Sequence, residues 1–268
     1  MRKISAIVLT QNEEEFLPGC LRSLQWVEEI IVVDSGSTDN TLSIATEAGA
    51  KIVSTSWTGF PQQRNQGAQE AKGEWLLYVD ADERVSPKLR AEIQQVLKKK
   101  KPEHSSYKIP HRNIILGKWL RFGGWYPEHQ HRLMKKDALK EWVGELHEHP
   151  ELKGSVGYLT GDLVHLTHRG MRWMLEKTIQ YTHLEAKLRL EAGHPKVSVK
   201  HLFSAPAREV WHRCVKKSGW RDGIIGWIEI IYQSFNQFLI MAWLWEMQQD
   251  KSMKKKYTDL DKETVDEL

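Results

Sequence analysis

The sequence predicts an α/β fold with a mostly parallel sheet, and three observations favour that class. Apolar runs of strand length alternate with helical patterns over residues 1–100. Polar residues directly follow several of these runs, as they do at the carboxyl ends of strands in open α/β sheets. Beyond Met171 the pattern is helical to the end, apart from a break at Gly193-His194-Pro195. We therefore expect a parallel α/β domain with a helical C-terminal extension.

The individual elements follow from apolar runs, caps and breakers. Strands are predicted over 4–10, 29–33, 51–55 and 74–79, and helices over 14–24, 61–72 and 87–98. A further helix follows the turn and N-cap residues 35–39 and ends near Gly49. Ser86 suits the N-cap of the last helix and Pro87 its first position. Shorter strands are predicted over 107–110, 131–134 and 162–167. We expect one domain over 1–170, divided into 1–100 and 101–170, and a helical region over 171–268.

Composition restricts the classes of function. The chain has 268 residues and a net charge of +4 at pH 7, a charge too small to indicate nucleic-acid binding by itself. An acidic substrate or an anionic membrane surface fits it equally well. Cys20 and Cys214 lie far apart without metal-ligand spacing, so neither a disulfide framework nor a zinc site is predicted. The N-terminus lacks the form of a signal peptide, which predicts a cytoplasmic protein.

The most informative motif is Asp80-Ala81-Asp82, which follows the apolar run 75–79. Side chains at i and i+2 of a strand point to the same side, and buried carboxylates need a partner or a metal. The motif therefore suggests Mg²⁺ or Mn²⁺ on a diphosphate. The alternative is capping of the next turn, which an isolated D-x-D favours.

Two further polar clusters follow predicted strands, at 10–13 and at 34–37. The carboxyl ends of parallel strands lie at one edge of a sheet, so we expect both clusters to converge with Asp80 and Asp82 on one ligand. Glycine and helix N-terminal amides in such loops can approach a phosphate closely. The alternative for 34–39 is ordinary turn and capping chemistry.

Four motifs in order resemble glycosyltransferase family 2, the inverting enzymes with the GT-A fold. They are Ile-Val-Leu-Thr-Gln-Asn-Glu-Glu at 7–14, Val-Val-Asp-Ser-Gly-Ser-Thr-Asp-Asn-Thr at 32–41, Gln-Arg-Asn-Gln-Gly at 63–67 and Tyr-Val-Asp-Ala-Asp-Glu at 78–83. The resemblance covers about the first 100 residues. It implies a Rossmann-like GT-A domain that binds a UDP-hexose and a divalent metal, Mg²⁺ or Mn²⁺.

The resemblance also implies roles for individual residues. Those at the nucleotide sugar are Thr10, Asn12, Glu13, Asp34, Arg64, Asn65 and Asp80. Asp34 would contact the base, usually uracil, while Arg64 and Asn65 would lie near the base and the ribose or pyrophosphate. Asp80 would reach the ribose and the metal, and Asp82 would bind the metal. The alternative for Arg64 is a charge on the surface of a helix.

A second resemblance lies in the middle of the chain. Gly-Gly-Trp-Tyr-Pro at 123–127, Gln-His-Arg-Leu-Met at 130–134 and Trp-Val-Gly-Glu-Leu-His-Glu at 142–148 are similar to bacterial lipopolysaccharide inner-core glucosyltransferases of the WaaE or KdtX type. The resemblance implies transfer of a β-linked glucose from UDP-glucose to a core heptose on a lipid-linked acceptor. Related transferases share these elements, so another cell-envelope saccharide is the alternative acceptor.

An inverting transferase needs a base for the acceptor hydroxyl, and a carboxylate suits that role. Glu148 is the first candidate and Glu145 the second, and His147 or His149 would complete the metal shell. A polar surface strand explains His147-Glu148-His149 equally well.

Two further predictions concern the leaving group and the acceptor. Arg132 would clamp the departing diphosphate, and its alternative is a charge on a strand surface. Trp125 and Tyr126 would stack on the acceptor sugar, and their alternative is plain packing.

The C-terminal region contains an amphipathic helical pattern. Its apolar face comprises Ile224, Ile228, Ile231, Phe235, Phe238, Ala242 and Trp245, and its narrow polar face Asp222, Glu229, Gln233, Asn236 and Gln237. Polar groups in mid-segment argue against a transmembrane span. Two interpretations remain: a helix packed in a core or oligomer contact, and an interfacial helix on anionic lipid at the cytoplasmic face of the membrane. The oligomeric state stays open.

Two other classes of protein compete with the transferase. A haloacid dehalogenase-like phosphotransferase also has a strand that ends in D-x-D, but it needs a later acidic pair, and the chain has no Asp-Asp dipeptide. The non-enzyme alternative is a basic, tryptophan-rich module for nucleic acid or membranes, in which the N-terminal motifs are coincidental.

Overall fold

A computed structural model of the chain describes residues 3–144, 148–249 and 252–266. It divides into two compact units. Unit 1 comprises Met1–Leu120 and Trp125–Thr167, and unit 2 comprises Arg121–Gly124 and His168–Leu268.

Unit 1 is an α/β structure in which helices alternate with strands in the first part. Its strands are β1 (Ile4–Thr10), β2 (Glu29–Asp34), β3 (Lys51–Ser54), β4 (Trp75–Asp80), β5 (Glu83–Val85), β6 (Ser106–Ile115), β7 (Lys118–Trp119), β8 (Glu128–Lys135), β9 (Leu139–Val143), β10 (His149–Leu152), β11 (Val156–Tyr158) and β12 (Leu163–Thr167). Its helices are α1 (Leu17–Ser23), α2 (Thr41–Glu47), α3 (Phe60–Glu70) and α4 (Pro87–Lys98).

Within the described residues, ten strands form one sheet with the order β3-β2-β1-β4-β8-β6-β12-β5, and β7 and β11 also pair with β6. The strands β1 to β4 are parallel to one another where they pair, whereas β8 is antiparallel to β4 and β6. Strands β9 and β10 form a separate antiparallel pair. The predicted α/β class with a mostly parallel sheet is confirmed.

Burial explains why the first strands read as continuous apolar runs. Every residue of β1 is buried, and so are the first five residues of β4. Helices α1 and α4 contribute side chains to one hydrophobic cluster, and Ala68 of α3 contributes to another with residues of β1, β2 and β4. A parallel sheet covered on both faces requires this pattern.

The four strands and four helices predicted over the first hundred residues are confirmed, with boundaries shifted by a few residues. The first helix begins at Leu17 and not at Glu14, because Glu13 to Phe16 form a turn in which the Glu13 carbonyl accepts from Phe16 and Leu17. The cap at Ser86 is also confirmed, since its side chain accepts from the Leu89 N–H.

The predicted strand end at Pro110 is wrong, because β6 continues to Ile115. Proline usually ends a strand since it has no N–H to donate. Here Pro110 falls between the part of β6 that pairs with β11 and the part that pairs with β12. Neither β11 nor β12 therefore pairs with Pro110, the residue that has no N–H to donate. The short strands β5, β7, β9, β10 and β11 were not predicted.

Helix α3 lies unusually close to the sheet at Gly67. A Cβ atom at this position would overlap Cγ2 of Ile7 and lie 3.1 Å from Cγ2 of Val33. Only glycine permits this approach, because it carries no side chain.

Unit 2 is helical, with α5 (Met171–Glu191), α6 (Val199–Val210), α7 (Gly223–Met247) and α8 (Met253–Asp266). A π-helical segment, Trp211–Lys216, continues α6. The predicted helical pattern beyond Met171 and its break near Gly193 are confirmed. In the part of the chain that the structure describes, no helix combines the length and the apolarity that crossing a bilayer requires.

Candidate active site

The ends of three neighbouring strands bring the predicted polar clusters together. In the parallel register, Thr10 of β1 pairs with Asp34 of β2, and Leu9 of β1 pairs with Asp80 of β4. The three strand ends therefore lie at one edge of the sheet, the edge where open α/β sheets bind ligands.

Asp34 begins a tight turn over residues 34–38, which we call the Asp34 turn. The carboxylate is 1% exposed, and its Oδ2 accepts from the N–H groups of Gly36 and Ser37 at 2.9 Å each. Its Oδ1 accepts from the Ser37 hydroxyl at 2.5 Å and from the Thr10 hydroxyl at 3.1 Å. Four neutral donors therefore hold this carboxylate, which is the turn chemistry that the alternative interpretation expects.

The loop after β1 is bound to the Asp34 turn through Asn12. The Asn12 Oδ1 accepts from the Thr38 N–H at 2.8 Å, and the Asn12 N–H donates to Ser37 Oγ at 2.9 Å. The N–H of Glu13 donates to Thr41 Oγ1 at 2.8 Å. Asn12 is exposed and Glu13 half-buried, so both are open to a ligand at this edge.

A cluster of charged side chains surrounds Asp80; we call it the Asp80 cluster and define it as Arg64, Asp80, Glu83, His111, Arg132 and Glu148. Arg64 Nη2 lies 3.3 Å from Asp80 Oδ1 and 2.8 Å from Glu148 Oε1. Arg132 Nη2 lies 2.8 Å from both Asp80 Oδ2 and Glu83 Oε1. Each oxygen of the Asp80 carboxylate thus has its own arginine.

Burial and charge oppose each other at Asp80. Burial favours the protonated form of its carboxyl, but the charges of Arg132 and Arg64 outweigh burial and hold the pKa of Asp80 well below its usual range. The carboxylate is therefore ionised at neutral pH.

Glu83 is fully buried beside the same arginine. Its Oε2 accepts from the Asp80 N–H at 2.8 Å, and His111 Nε2 lies 2.8 Å from its Oε1. Burial alone would raise the pKa of Glu83, but the charges of Arg132 and His111 lower it below its usual value. Sequence reasoning missed both Glu83 and His111, although Glu83 directly follows the D-x-D motif.

The two arginines are interior groups, so neither is the surface charge that the alternatives describe. Arg64 is 3% and Arg132 7% exposed. The Arg64 guanidinium also stacks over Trp142, 4.9 Å from the ring centroid. Nε and Nη1 of Arg64 and Nε of Arg132 are buried without a hydrogen-bond partner among the described residues.

Asp82 lies beside a histidine that the sequence did not single out. Its Oδ2 is 3.6 Å from His165 Nε2, and His165 Nδ1 lies 2.8 Å from Asn113 Oδ1. Burial lowers the pKa of His165, but the hydrogen bond to Asp82 and the nearby acidic charges raise it above its ordinary value. No spacing in the sequence connects 165 with 82, because only the sheet brings β12 and the β4–β5 turn together.

The predicted nucleotide-site residue Asn65 is bound to the backbone of β9. Its Nδ2 donates to the Trp142 carbonyl at 3.0 Å, and its Oδ1 accepts from the Trp142 N–H at 2.7 Å. This pair of bonds joins α3 to β9 and places the Trp142 ring against Arg64.

The predicted acceptor residue Tyr126 lies in an aromatic and charged cluster. Its hydroxyl donates to Asp162 Oδ1 at 2.9 Å, and its ring packs edge to face against Trp119 at 5.4 Å. Burial and the neighbouring Asp162 raise the pKa of Tyr126. The carbonyl of Trp125 accepts from Asn113 Nδ2 at 3.1 Å.

Among the candidate bases and histidine ligands, Glu148 and His149 are described. Glu145 and His147 lie outside the described residues. Glu148 is half-buried, and its Oε2 is buried without a hydrogen-bond partner in the part of the chain that the structure describes. His149 is exposed at the start of β10.

The Asp34 turn and the Asp80 cluster lie at the carboxyl edge of the parallel strands, which is where α/β enzymes bind their ligands. Residues 5–152 match the family model described as Glycosyl transferase family 2. The match spans more than half of the chain, which therefore belongs to glycosyl transferase family 2 and is a glycosyltransferase with a GT-A-like fold. The haloacid dehalogenase and non-enzyme alternatives are excluded.

The chain is similar to several relatives over different lengths. The lipopolysaccharide core biosynthesis glycosyltransferase LpsC of Rhizobium meliloti is 27% identical over 91% of this chain and 92% of the relative. An uncharacterized glycosyltransferase of Rickettsia felis is 39% identical over 36% of this chain and 34% of that protein.

A solved structure similar to this chain is glucosyl-3-phosphoglycerate synthase from Mycobacterium tuberculosis in complex with Mn²⁺, uridine diphosphate and phosphoglyceric acid. It is 18% identical, with a TM-score of 0.47 over 73% of this chain and 80% of that one.

Proposed function

We propose that this glycosyltransferase moves glucose from UDP-glucose to a heptose of the lipopolysaccharide inner core, with inversion at the sugar carbon. The observation that carries the proposal is the meeting of the Asp34 turn and the Asp80 cluster at the carboxyl edge of one parallel sheet. The role of LpsC in lipopolysaccharide core biosynthesis, together with its similarity along 91% of this chain, supports a lipopolysaccharide core acceptor.

The nucleoside end of the donor would bind at the Asp34 turn. Asn12 and Glu13 are open to solvent beside it, while Thr10 and the buried Asp34 fix the loop from inside. We assign Asp34 to the base-binding loop, with the contact to uracil made by the carboxylate or by the backbone groups that it holds. Arg64, oriented with the help of Asn65 and Trp142, lies at the other end of the site.

The residues at the Asp80 cluster fit a divalent cation that is shared with the donor diphosphate. Together with Asp82, the cluster has four carboxylates against the two guanidinium groups of Arg64 and Arg132, a formal excess of two negative charges before the histidines are counted. Among the described residues no three His, Cys, Asp or Glu side chains form a complete metal site. Mg²⁺ commonly binds one or two carboxylates plus substrate phosphates.

Asp82 and Asp80 would hold this Mg²⁺ or Mn²⁺, and His147 is a further proposed ligand. When bound, the metal neutralises charge on the leaving diphosphate. Asp80 already pairs with two arginines, so Asp82 is the principal ligand in this proposal. Arg132 fixes the ionised Asp80 and, with Arg64, adds positive potential for the diphosphate.

Glu148 is the proposed base. In a single in-line displacement the acceptor oxygen bonds to the anomeric carbon, the bond from that carbon to the diphosphate breaks, and the hydroxyl proton passes to the carboxylate. Glu148 Oε1 is held by Arg64 at 2.8 Å, whereas Oε2 has no hydrogen-bond partner among the described residues. Glu145 remains the second candidate.

The acceptor would bind near Trp125 and Tyr126, whose rings offer a stacking surface for a sugar. If the acceptor is a lipid-linked core saccharide, the enzyme works at the cytoplasmic face of the membrane as a peripheral protein. Another cell-envelope saccharide is the alternative acceptor within the same family.

The proposed base is tested with Glu148→Gln, which keeps the shape and the hydrogen bond to Arg64. We expect kcat for transfer to fall by about 10²–10⁴-fold while KM for UDP-glucose changes little. Glu151→Gln is the matched control, because Glu151 is an exposed glutamate three residues further along whose partner is Lys140. Full activity of Glu148→Gln assigns the base elsewhere, with Glu145→Gln as the next variant.

The donor and acceptor are tested with a panel of UDP-, GDP- and ADP-hexoses and truncated core saccharides. The proposal expects transfer from UDP-glucose to acceptors that contain heptose, and loss of metal-dependent transfer in Asp82→Asn. Transfer to saccharides without heptose, and not to those with it, would support the alternative acceptor.

A further inference from the structure

Helix α7 presents an apolar face to the surface of unit 2. Its large exposed side chains are all apolar: Ile224, Trp227, Ile231, Phe235, Phe238 and Trp245. Their spacings of three, four and seven residues place them on one face of the helix. A water-facing helix carries charged residues at such positions.

Two polar side chains of α7, Glu229 and Tyr232, are buried in unit 2, and Asn236 is half-buried beside them. Glu229 is 1% exposed and its Oε1 lies 2.8 Å from Nδ1 of His168. The Tyr232 hydroxyl bonds to Thr178 Oγ1 at 2.6 Å, and the same threonine donates to Asn236 Oδ1 at 3.1 Å. Most of the apolar face predicted from the sequence is therefore exposed in the single chain, while Ile240, Met241 and Leu244 of α7 pack into the core of unit 2.

The neighbouring helix also exposes apolar side chains. Helix α6 packs on α7, and the Ser234 hydroxyl donates to the Pro206 carbonyl at 3.1 Å. The exposed apolar side chains of α6 and the segment after it are Val199, Phe203, Val210, Trp211, Val215 and Trp220. We call the exposed apolar residues of α6, of the segment up to Trp220 and of α7 the α6–α7 face.

The sequence that contributes α6 is strongly basic. Residues 196–221 contain seven lysines and arginines and a single acidic residue, Glu209. Glu209 is already paired, since its Oε1 lies 2.5 Å from Arg213 Nε. The exposed cations of this stretch are Lys196, Lys200, Arg208, Lys216, Lys217 and Arg221.

Charge decides between the two occupants that an apolar face admits, a second copy of the chain or a lipid surface. A symmetric dimer would bring each basic stretch close to its own copy, because a two-fold interface joins identical surfaces. Anionic lipid instead offers phosphate groups to the cations and an acyl boundary to the apolar side chains. Tryptophan, which the face presents four times, is enriched at that boundary.

We infer that the α6–α7 face is a docking surface for an anionic phospholipid bilayer. The inference deepens the proposed function by naming the surface that meets the membrane, and it rests on that function only for the identity of the membrane. Exposed apolar side chains enter the interface while the lysines and arginines around them stay at the phosphates.

Vesicle flotation of the full chain tests the inference without catalysis. We expect the protein to float with phosphatidylcholine vesicles that contain about 40% phosphatidylglycerol, an anionic lipid that gives the vesicle a negative surface. It should remain unbound with vesicles of phosphatidylcholine alone. Replacing Arg208, Lys216 and Lys217 by glutamine should lower the partition coefficient by about a hundredfold, because each cation near the surface contributes about fivefold.

A matched pair of isoleucines tests the location of the face. Ile231 of α7 is 65% exposed, and Ile179 of α5 is 61% exposed on a helix with four basic and three acidic residues. We expect Ile231→Ser to weaken flotation about tenfold, as loss of an apolar side chain from the interface requires, and Ile179→Ser to leave it within about twofold. Equal losses in both variants overturn the assignment.

Two other results overturn the inference. One is the absence of flotation for the folded wild-type chain on anionic vesicles. The other is a stable dimer in sedimentation that Ile231→Ser dissociates, with no lipid binding. Hydrolysis of UDP-glucose by the same variants separates this test from the proposed function, because their substitutions lie outside the site in unit 1 and should leave that rate unchanged.

Discussion

The Asp34 turn and the Asp80 cluster place a carboxylate at the same edge of the sheet by different physical means. Asp34 is held by neutral N–H and O–H donors, three of which come from the two residues Gly36 and Ser37. Asp80 is held by two arginines that lie 16 and 52 residues away in sequence. One carboxylate depends on a local turn and the other on the assembled sheet.

The difference has an energetic consequence. Removal of a neutral donor or acceptor leaves one unsatisfied polar group, which costs about 1–3 kcal/mol when it is buried. Removal of one partner from a buried ion pair leaves an uncompensated charge and costs about 3–5 kcal/mol. The Asp80 cluster should therefore be far less tolerant of single substitutions than the Asp34 turn.

The largest effect is expected for Arg132→Met. The fully buried Glu83 and the neighbouring Asp80 then lose the cation they share, so the free energy of unfolding should fall by about 3–5 kcal/mol. Urea denaturation measures the change. Arg90→Met, at an exposed arginine of α4, should stay within about 0.5 kcal/mol. A loss below about 1 kcal/mol for Arg132→Met would remove the distinction between the two regions.

Asp34→Ala should have the next largest effect. It removes the acceptor of the Gly36 and Ser37 N–H groups and of the Ser37 hydroxyl, while the Thr10 hydroxyl keeps the Val33 carbonyl at 3.5 Å. Gly36 is exposed and Ser37 half-buried, so water replaces part of these bonds, and we expect a loss of about 1–3 kcal/mol. Asp34→Asn keeps one acceptor oxygen and should lose less. The comparison breaks if Asp34→Ala destabilises the protein as much as Arg132→Met does in the same urea titration.

Ser37→Ala examines the turn more finely. The Ser37 hydroxyl donates to Asp34 and accepts from the Asn12 N–H, so its loss should cost about 1 kcal/mol. Ser43→Ala is the control, because the Ser43 hydroxyl bonds to the exposed Glu47 within α2. Thermal unfolding of the two variants should differ by a few degrees, and identical midpoints would show that the Asp34 turn does not depend on this hydroxyl.

The last prediction concerns the pH dependence of stability and His131, the residue before Arg132. Burial, with Lys108 and His149 nearby, lowers the pKa of His131 to about 4. The unfolded chain protonates this histidine near pH 6.5, so between about pH 6.5 and 4 the unfolded state binds more protons and stability falls as the pH is lowered. His131→Asn should reduce the fall in unfolding free energy between pH 7 and pH 5. The expectation is contradicted if His131→Asn and the wild type lose the same unfolding free energy between pH 7 and pH 5. His212→Asn in unit 2 is the control variant.

The same contrast explains how far the sequence could predict the site. The Asp34 turn and the D-x-D motif are local, so a run of turn residues and an apolar strand are sufficient to place Asp34, Asp80 and Asp82. Glu83 was within reach, since it directly follows the motif. His111 and His165 were not, because their partners are set by the pairing of β6 and β12, which no spacing in the sequence encodes.

The fold shows a similar division. The first four strands and helices carry caps and apolar runs that predict them, whereas β7 and β11 are two or three residues long and exist through their pairing with β6. The orientation of α7 was also beyond prediction. Periodicity identifies an apolar face but does not say whether that face packs inward or outward.

The position of the Arg64 guanidinium depends on Gly67, a residue of the same helix. Because position 67 carries no Cβ atom, α3 packs directly on the side chains of Ile7 and Val33. The distance between the helix and the sheet therefore depends on this glycine. Arg64 lies one turn earlier on that helix, so even an alanine at position 67 would lift its guanidinium away from Asp80 and Glu148. A methyl group between α3 and the sheet would then weaken the ion pairs around Asp80.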